Sequence, residues 1–271
     1  MKRLLLAAAV LALAVLLGHT IRSSHGPRPA AQPFAPGQAV RPSVQPTVPA
    51  PVRLAPSCVS GRVLPLGSSG RAYVGVAGDG AAALAKPGGR LVARFGRVNA
   101  NDYPTVFGVV GVVKDARCDP DWYRVQLPIR PNGATGYVAA RSLRLAVVRT
   151  RIDVNLSTRR LTLYRAGRTV LSSAVAVGAA ATPTPTGRYY VNQRLIPSDT
   201  SGPFGPGALG ISAFSPVLTG WIQGGPVAIH GTNEPWSIGR AVSNGCIRLP
   251  NATLQRVFSL AAAGTPVIIH L

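Results

Sequence analysis

From about residue 58 onward, apolar residues come in short runs separated by Gly, Pro, Asn and Asp. Arg90-Leu-Val-Ala-Arg-Phe and Val106-Phe-Gly-Val-Val-Gly-Val-Val are the clearest examples in the first half. Closely spaced short strands of this kind predict a small β-barrel or sandwich between Cys58 and about Leu145. After Arg151 the alternation sharpens. Ile152, Val154 and Leu156 are interleaved with polar residues, a polar break covers 157–160, and Leu161 and Leu163 resume the pattern. Two half-buried antiparallel strands follow from that spacing, because side chains of a strand alternate between its faces. Val175 and Val177 extend the sheet. A helical period occurs near the end, where Leu254, Val257, Phe258 and Ala261 share one face, with Asn251 placed to cap the helix and Gly264 to stop it. Pro266-Val-Ile-Ile then supplies a last strand. The expected fold is mostly β, with a small barrel first, a sandwich second and a short C-terminal helix.

Residues before 57 carry neither period. Lys2 and Arg3 precede an uncharged apolar run of 14 residues, Leu4 to Leu17. A spanning helix needs ~20 such residues, so the run has the form of an export signal. Gly18, His19, Thr20 and Ile21 offer no small-x-small cleavage site, and His19 stands where a lipoprotein would have Cys. A cleaved signal peptide and a retained anchor therefore both remain open. Either places the protein outside the cytoplasm, at the cell wall, with membrane contact only through this segment. Between Ser24 and Pro56 there are nine prolines, the composition of an extended spacer. The chain thus divides into 1–23, a signal peptide or anchor; 24–56, a linker; 57–147, a first β domain; and 148–271, a second.

Charge narrows the partners only partly. The formal net charge is +21, from 29 Lys and Arg against 8 Asp and Glu. Such a chain is attracted to anionic polymers, including acidic wall polymers. Arg is spread through both halves and no nucleic-acid-binding motif is present, so nucleic acid is not an expected partner. Three cysteines, Cys58, Cys118 and Cys246, leave one unpaired in an exported chain. Of the three pairings, Cys58 with Cys118 is expected, since both fall in the first domain. Three Cys and one well-placed His do not show zinc-ligand spacing, so no metal is expected.

The chemistry is concentrated between Ala228 and Asn251. A thiol attacks as thiolate, and a neighbouring imidazole both removes its proton and stabilises the anion. His230 and Cys246 are the candidates for that pair. His19 and His25 precede the folded region, and His270 ends the last strand. His230 would end a strand made by Pro226-Val-Ala-Ile, and the 15 residues 231–245 can return Cys246 beside it. A glycine before the nucleophile lets a substrate approach the turn, and the N–H groups of Gly245 and Cys246 are candidate oxyanion donors. Acidic residues are scarce after residue 150, so a backbone carbonyl such as that of Gly231 is the expected partner of the imidazole. A catalytic Cys246 would alkylate well below the pH at which an ordinary thiol of pKa ~8.5 reacts.

These residues resemble the L,D-transpeptidase catalytic domain, also called the YkuD domain. That family has a His-Gly pair upstream of a Ser-x-Gly-Cys-x-Arg signature, matched by His230-Gly231 and Ser243-Asn244-Gly245-Cys246-Ile247-Arg248. Thr182-Pro-Thr-Pro-Thr-Gly187 with Tyr189, and Pro203-Phe-Gly-Pro-Gly-Ala-Leu-Gly210, are similar to its earlier loops. The commonest form has a second His where this chain has Asn244. The resemblance implies Cys246 as nucleophile and His230 as proton donor and acceptor. It also implies Ser243, Gly245 and Gly231 as loop or oxyanion support, no cofactor or metal, and peptidoglycan stem peptides as substrate. Asn244, Arg248, Thr232 and Trp236 are candidate substrate contacts, with Arg248 equally able to tie the loop down; Trp221 is expected in the core. The implied reaction cross-links the third residues of two stems through a Cys thioester, and water in place of the acceptor amine would make an L,D-carboxypeptidase. A non-catalytic wall-binding protein is the rival of another class. In the first half, Trp122-Tyr-Arg-Val-Gln-Leu-Pro, the Pro131-Asn-Gly133 turn and Gly136-Tyr-Val-Ala-Ala resemble the closing strands of bacterial SH3-like domains. That likeness is compatible with a wall-binding module or with a packing domain that has no ligand.

Overall fold

The structure, a computed structural model, describes residues 59–271 and the backbone of a two-residue strand, Arg41–Pro42. The expected signal segment, most of the proline-rich spacer and Cys58 lie outside the described residues. Two sheets account for nearly all of the rest, and the mostly-β expectation holds, with one α-helix, Asn251–Leu260.

The first sheet has eight strands between Val63 and Val148, and all its pairings are antiparallel. Its core gathers Phe107, Val109, Val125, Val138 and Leu145 from four of those strands. The second sheet has nine strands, and its main path runs 168–174, 160–165, 150–155, 266–270, 187–196, 208–214, 226–230, 247–248. Strands 150–155 and 160–165 form the antiparallel pair that the alternation predicts, with Ile152 opposite Leu163. Ile152, Leu161 and Leu163 from one end of this sheet share a single core with Leu209, Ile229 and Ile247 from the other. The sheet therefore closes over on itself as a sandwich, with the helix supplying Leu254 and Val257 to the same core.

Asn251 does not cap that helix. Pro250 occupies the N-cap with no side-chain cap bond, and the Asn251 Oδ1 accepts from the Thr232 N–H at 2.8 Å instead. The helix start is thereby used to hold the chain just after His230.

The two sheets meet along a buried junction. Val74, Val76, Tyr103, Val106, Ala146 and Val148 from the first pack on Tyr190 and Ala263 from the second. Tyr189 faces the sandwich core while its neighbour Tyr190 faces this junction, as strand alternation requires. The Tyr190 hydroxyl donates to the Val106 carbonyl at 3.1 Å, and Thr150 and Thr265 share a buried hydroxyl bond of 2.7 Å.

Candidate active site

His230 is the last residue of the strand Pro226–His230, and Cys246 immediately precedes the strand Ile247–Arg248. These strands pair in parallel, with Ile229 opposite Ile247 and His230 opposite Arg248. Side chains two apart share a face, so Val227 and Ile229 enter the sandwich core with Ile247, and Ala228 and His230 turn to the other side with Cys246 and Arg248. His230 and Cys246 are thus diagonal neighbours. One strand spacing across and two residues along put their α-carbons about 8 Å apart, within reach of an imidazole and a thiol directed at each other. Both line one narrow cavity, with Ser243, Asn244 and Arg248 on one side and Ser215, Leu218, Trp221, Gly225 and Pro226 on the other. Its volume is about 10 Å³, room for roughly one water.

The imidazole is fixed by backbone. Its Nδ1 lies 2.6 Å from the Gly231 carbonyl oxygen. That oxygen only accepts, so Nδ1 carries the proton and Nε2 keeps the lone pair a general base needs. The Phe204 ring meets the imidazole edge-on at 5.0 Å. Gly231 is a glycine for want of space: a Cβ there would overlap the Asn251 amide oxygen and come 2.8 Å from Pro206 Cδ.

The nucleophile turn is laced from within the same sandwich. Ser243 Oγ donates to the Cys246 carbonyl at 2.6 Å and accepts from the Gly245 N–H at 3.2 Å. Thr184 Oγ1 donates to the Gly245 carbonyl, and Thr182 Oγ1 to that of Ser243, both at 2.9 Å. These bonds correct the reading of Gly245. Its N–H is occupied by Ser243, which leaves Cys246 N–H as the oxyanion candidate. Its glycine is required by a φ of +110°, since a Cβ would meet only ordinary contacts.

Electrostatics also departs from expectation. Burial lowers the His230 pKa to about 4, with the Gly231 hydrogen bond opposing and the nearby Arg248 charge reinforcing. Burial pushes the Cys246 thiol above its ordinary value, while a hydrogen bond from the Ala228 backbone and the Arg248 charge pull it back. Desolvation disfavours both charged forms. Both shifts favour a neutral thiol beside a neutral imidazole in the resting site, which runs against the expectation of alkylation well below the ordinary thiol pH.

The candidate substrate contacts divide. Asn244 and Arg248 line the cavity, but the Arg248 guanidinium is buried and bonded to Glu234 at 2.6 Å, so it ties the 231–246 loop to the strand. Thr232 and Trp236 do not line it. Thr232 is buried, with its Oγ1 accepting from the Glu234 N–H at 2.9 Å, and Trp236 is 52% exposed with the Arg240 guanidinium 5.8 Å from its ring centre. Trp221, expected in the core, is a wall of the cavity instead. Thr184, Asn251, Phe204 and Glu234 were missed as site residues. The Thr-Pro-Thr-Pro-Thr run pointed towards Thr184 and the Pro203–Gly210 run towards Phe204, while nothing pointed to a site role for Asn251 or Glu234.

Cys246 is free and Cys118 is disulfide-bonded, while Cys58 lies outside the described residues. Among the described residues no group of three or more His, Cys, Asp or Glu could hold a metal ion, and no helix is long and apolar enough to cross a membrane.

Comparison with known proteins falls on this half of the chain. Residues 149–269 match the family described as L,D-transpeptidase catalytic domain, YkuD. Putative L,D-transpeptidases YkuD of Bacillus subtilis and Bacillus licheniformis are 37% and 39% identical over 119 residues, 44% of this chain. The match spans 65% and 64% of those two proteins. Among solved structures, the catalytic domain of the Enterococcus faecium L,D-transpeptidase is 25% identical with a TM-score of 0.34, over 45% of this chain and 96% of that one. An L,D-transpeptidase from Mycobacterium smegmatis is 15% identical with a TM-score of 0.37, over 73% and 99%. The stretch that holds His230, Cys246 and the threonine clamp, residues 149–269, is a YkuD-family L,D-transpeptidase catalytic domain.

Proposed function

We propose that this protein is an exported peptidoglycan L,D-transpeptidase in which Cys246 is the nucleophile and His230 its proton acceptor and donor. The observation that carries the reading is that His230 and Cys246 line one cavity on one sheet face, with the imidazole tautomer fixed by Gly231.

In the first step His230 Nε2 takes the thiol proton as the Cys246 sulfur attacks the carbonyl carbon of the third residue of a donor stem. The Cys246 N–H receives the developing oxyanion. The bond to the terminal D-Ala nitrogen breaks, and the imidazolium returns its proton to that leaving amine. A thioester remains. In the second step an acceptor-stem amine attacks the thioester carbonyl, His230 removes a proton from it, and the sulfur leaves and is reprotonated. The product is an amide between third residues; water in place of the amine gives the carboxypeptidase outcome.

Incubation of purified protein with a disaccharide-tetrapeptide should give a covalent adduct on Cys246 and release D-Ala, and Cys246→Ala should abolish both. Full cross-linking by Cys246→Ala would overturn the assignment. Export is supported by the N-terminal apolar run, and a Cys58–Cys118 bridge by Cys118 being disulfide-bonded while Cys246 is free. One alkylatable thiol, at Cys246, in the intact exported protein would check both cysteine assignments; a bridge that includes Cys246 would overturn them.

A further inference from the structure

We propose that Arg130 and Asn132, on the turn between the first-sheet strands Pro120–Gln126 and Thr135–Ala139, are positioning residues for the catalytic cavity: they hold the 215–225 wall in place over Cys246. The cavity wall opposite the nucleophile turn is the loop between the strands Ala208–Phe214 and Pro226–His230. It carries Ser215, Leu218, Trp221 and Gly225 into the cavity. Its own ties are short-range: Ser215 Oγ accepts from the Val217 and Leu218 N–H groups, and a short turn at Ile222–Gly224 closes on Trp221 and Ile222. Ser215 N–H donates to the Gly225 carbonyl at 2.8 Å, closing the loop at its base, and the Gln223–Gly225 stretch takes left-handed φ values of 56°, 78° and 68° in succession. Such a segment, exposed over much of its length, is poorly fixed by itself.

Fixation comes from the other sheet. Arg130 Nη2 donates to the Ser215 carbonyl at 2.6 Å and to the Gly224 carbonyl at 2.7 Å, joining the two ends of the loop through one guanidinium. The same guanidinium carbon stands 5.4 Å from the Phe214 ring centre. Asn132 exchanges two bonds with the Phe214 backbone, its Nδ2 donating to the carbonyl at 2.8 Å and its Oδ1 accepting from the N–H at 2.9 Å. Further along, Gln223 Nε2 donates to Asn101 Oδ1 at 3.2 Å. One terminal amino group that donates two charge-assisted bonds pins both ends of the loop to a single point.

These contacts are not what docks the sheets together. The apolar junction around Tyr190 and the buried Thr150–Thr265 bond lie apart from them and bury the interface without Arg130, which is itself exposed. The expected consequence of losing Arg130 is therefore local. The cavity is narrow, so where this wall stands decides how a substrate meets Cys246, and Arg130 and Asn132 set where it stands.

The test uses the full chain with Arg130→Ala, Asn132→Ala and Arg130→Lys, and with the exposed Arg117→Ala as a control for charge. Two readouts are taken: the rate of iodoacetamide alkylation of Cys246 at fixed pH, and kcat and KM for release of D-Ala from a disaccharide-tetrapeptide. Loss of two charge-assisted bonds should raise alkylation and KM by about tenfold each in Arg130→Ala, with kcat changed less than about threefold. Arg130→Lys should recover part of the loss, because the ammonium keeps the charge and its donors but stands on a shorter, more flexible side chain that holds both carbonyls less firmly. The melting temperature and the pH dependence set by His230 should not move. Should Arg130→Ala fail to fold, Asn132→Ala carries the same test. Unchanged alkylation in both alanine variants, or an equal rise in Arg117→Ala, would overturn the proposal. The peptide arm rests on the transpeptidase reading, whereas alkylation does not. Altered alkylation in a protein that never releases D-Ala would therefore sink the substrate assignment and leave the positioning role standing.

Discussion

The two walls of the cavity around Cys246 are held in opposite ways. On the nucleophile side, Ser243, Thr182 and Thr184 bind the 243–246 turn through four short hydrogen bonds, all within residues 182–246. Across the cavity, the 215–225 wall takes its main side-chain ties from Arg130 and Asn132, more than 80 residues earlier in the chain. The position of the sulfur is thus intrinsic to the sandwich, and access to it is governed from outside. A reacting atom tolerates little displacement, so it is fixed by short-range bonds to a rigid sheet. A surface that must admit and release substrate is held by contacts that can be broken singly.

The largest expected effect comes from the intrinsic side. His230→Ala should lower kcat/KM by ~10²–10⁴-fold, the usual worth of a general base, and should also lower the melting temperature, because the buried ring leaves a void beside Phe204. A loss under tenfold would show that the imidazole is not the base. Next, Gly231→Ala introduces a Cβ into the space of Asn251 and Pro206. It should displace the carbonyl that orients His230, costing ~1–3 kcal/mol of stability together with a large part of the activity. Wild-type stability in that variant would break the claim that this side is sterically fixed.

A smaller effect sharpens the contrast between the walls. Thr184→Val keeps the shape but removes the donor to the Gly245 carbonyl, and should cost ~1 kcal/mol and roughly fivefold in kcat with KM little changed. That is the reverse of the split expected when the opposite wall is loosened. If both variants act through KM, the two walls are not mechanically distinct.

The pH dependence is the mildest probe and has a definite sign. His230 in the fold titrates at about 4, below its ordinary 6.5. Between those values the unfolded chain binds a proton that the folded chain does not, so stability present above 6.5 declines as the pH falls towards about 4. Activity should persist below pH 6.5, with its acid limb near 4 in kcat/KM. Alkylation of the free enzyme should rise only at or above the pH of an ordinary thiol, because burial raises Cys246. Rapid alkylation at pH 6 would instead reveal a preformed thiolate–imidazolium pair.

The amino-acid sequence determined much of this by itself. The alternation of Ile152, Val154, Leu161 and Leu163 was enough to give strands 150–155 and 160–165, because burial on one face imposes a period of two. His230, Cys246 and the glycines beside them were legible because the chemistry needs those residue types and few others were available. The tertiary structure alone decided which side chains complete the site. Asn251 was readable as a helix cap, yet the parallel pairing of strands 226–230 and 247–248 brings the chain after His230 within its reach. Trp221 exchanged the core for the cavity, while Trp236 was left outside. Arg130 and Asn132 sit on a turn of the first sheet that the Pro131-Asn-Gly133 run made legible as a turn, but nothing local in it pointed to the cavity wall. Local periodicity records which face of an element is buried. Hydrogen-bond partners, desolvation and the neutral state of the His230–Cys246 pair depend on what that face is packed against, which only the folded chain specifies.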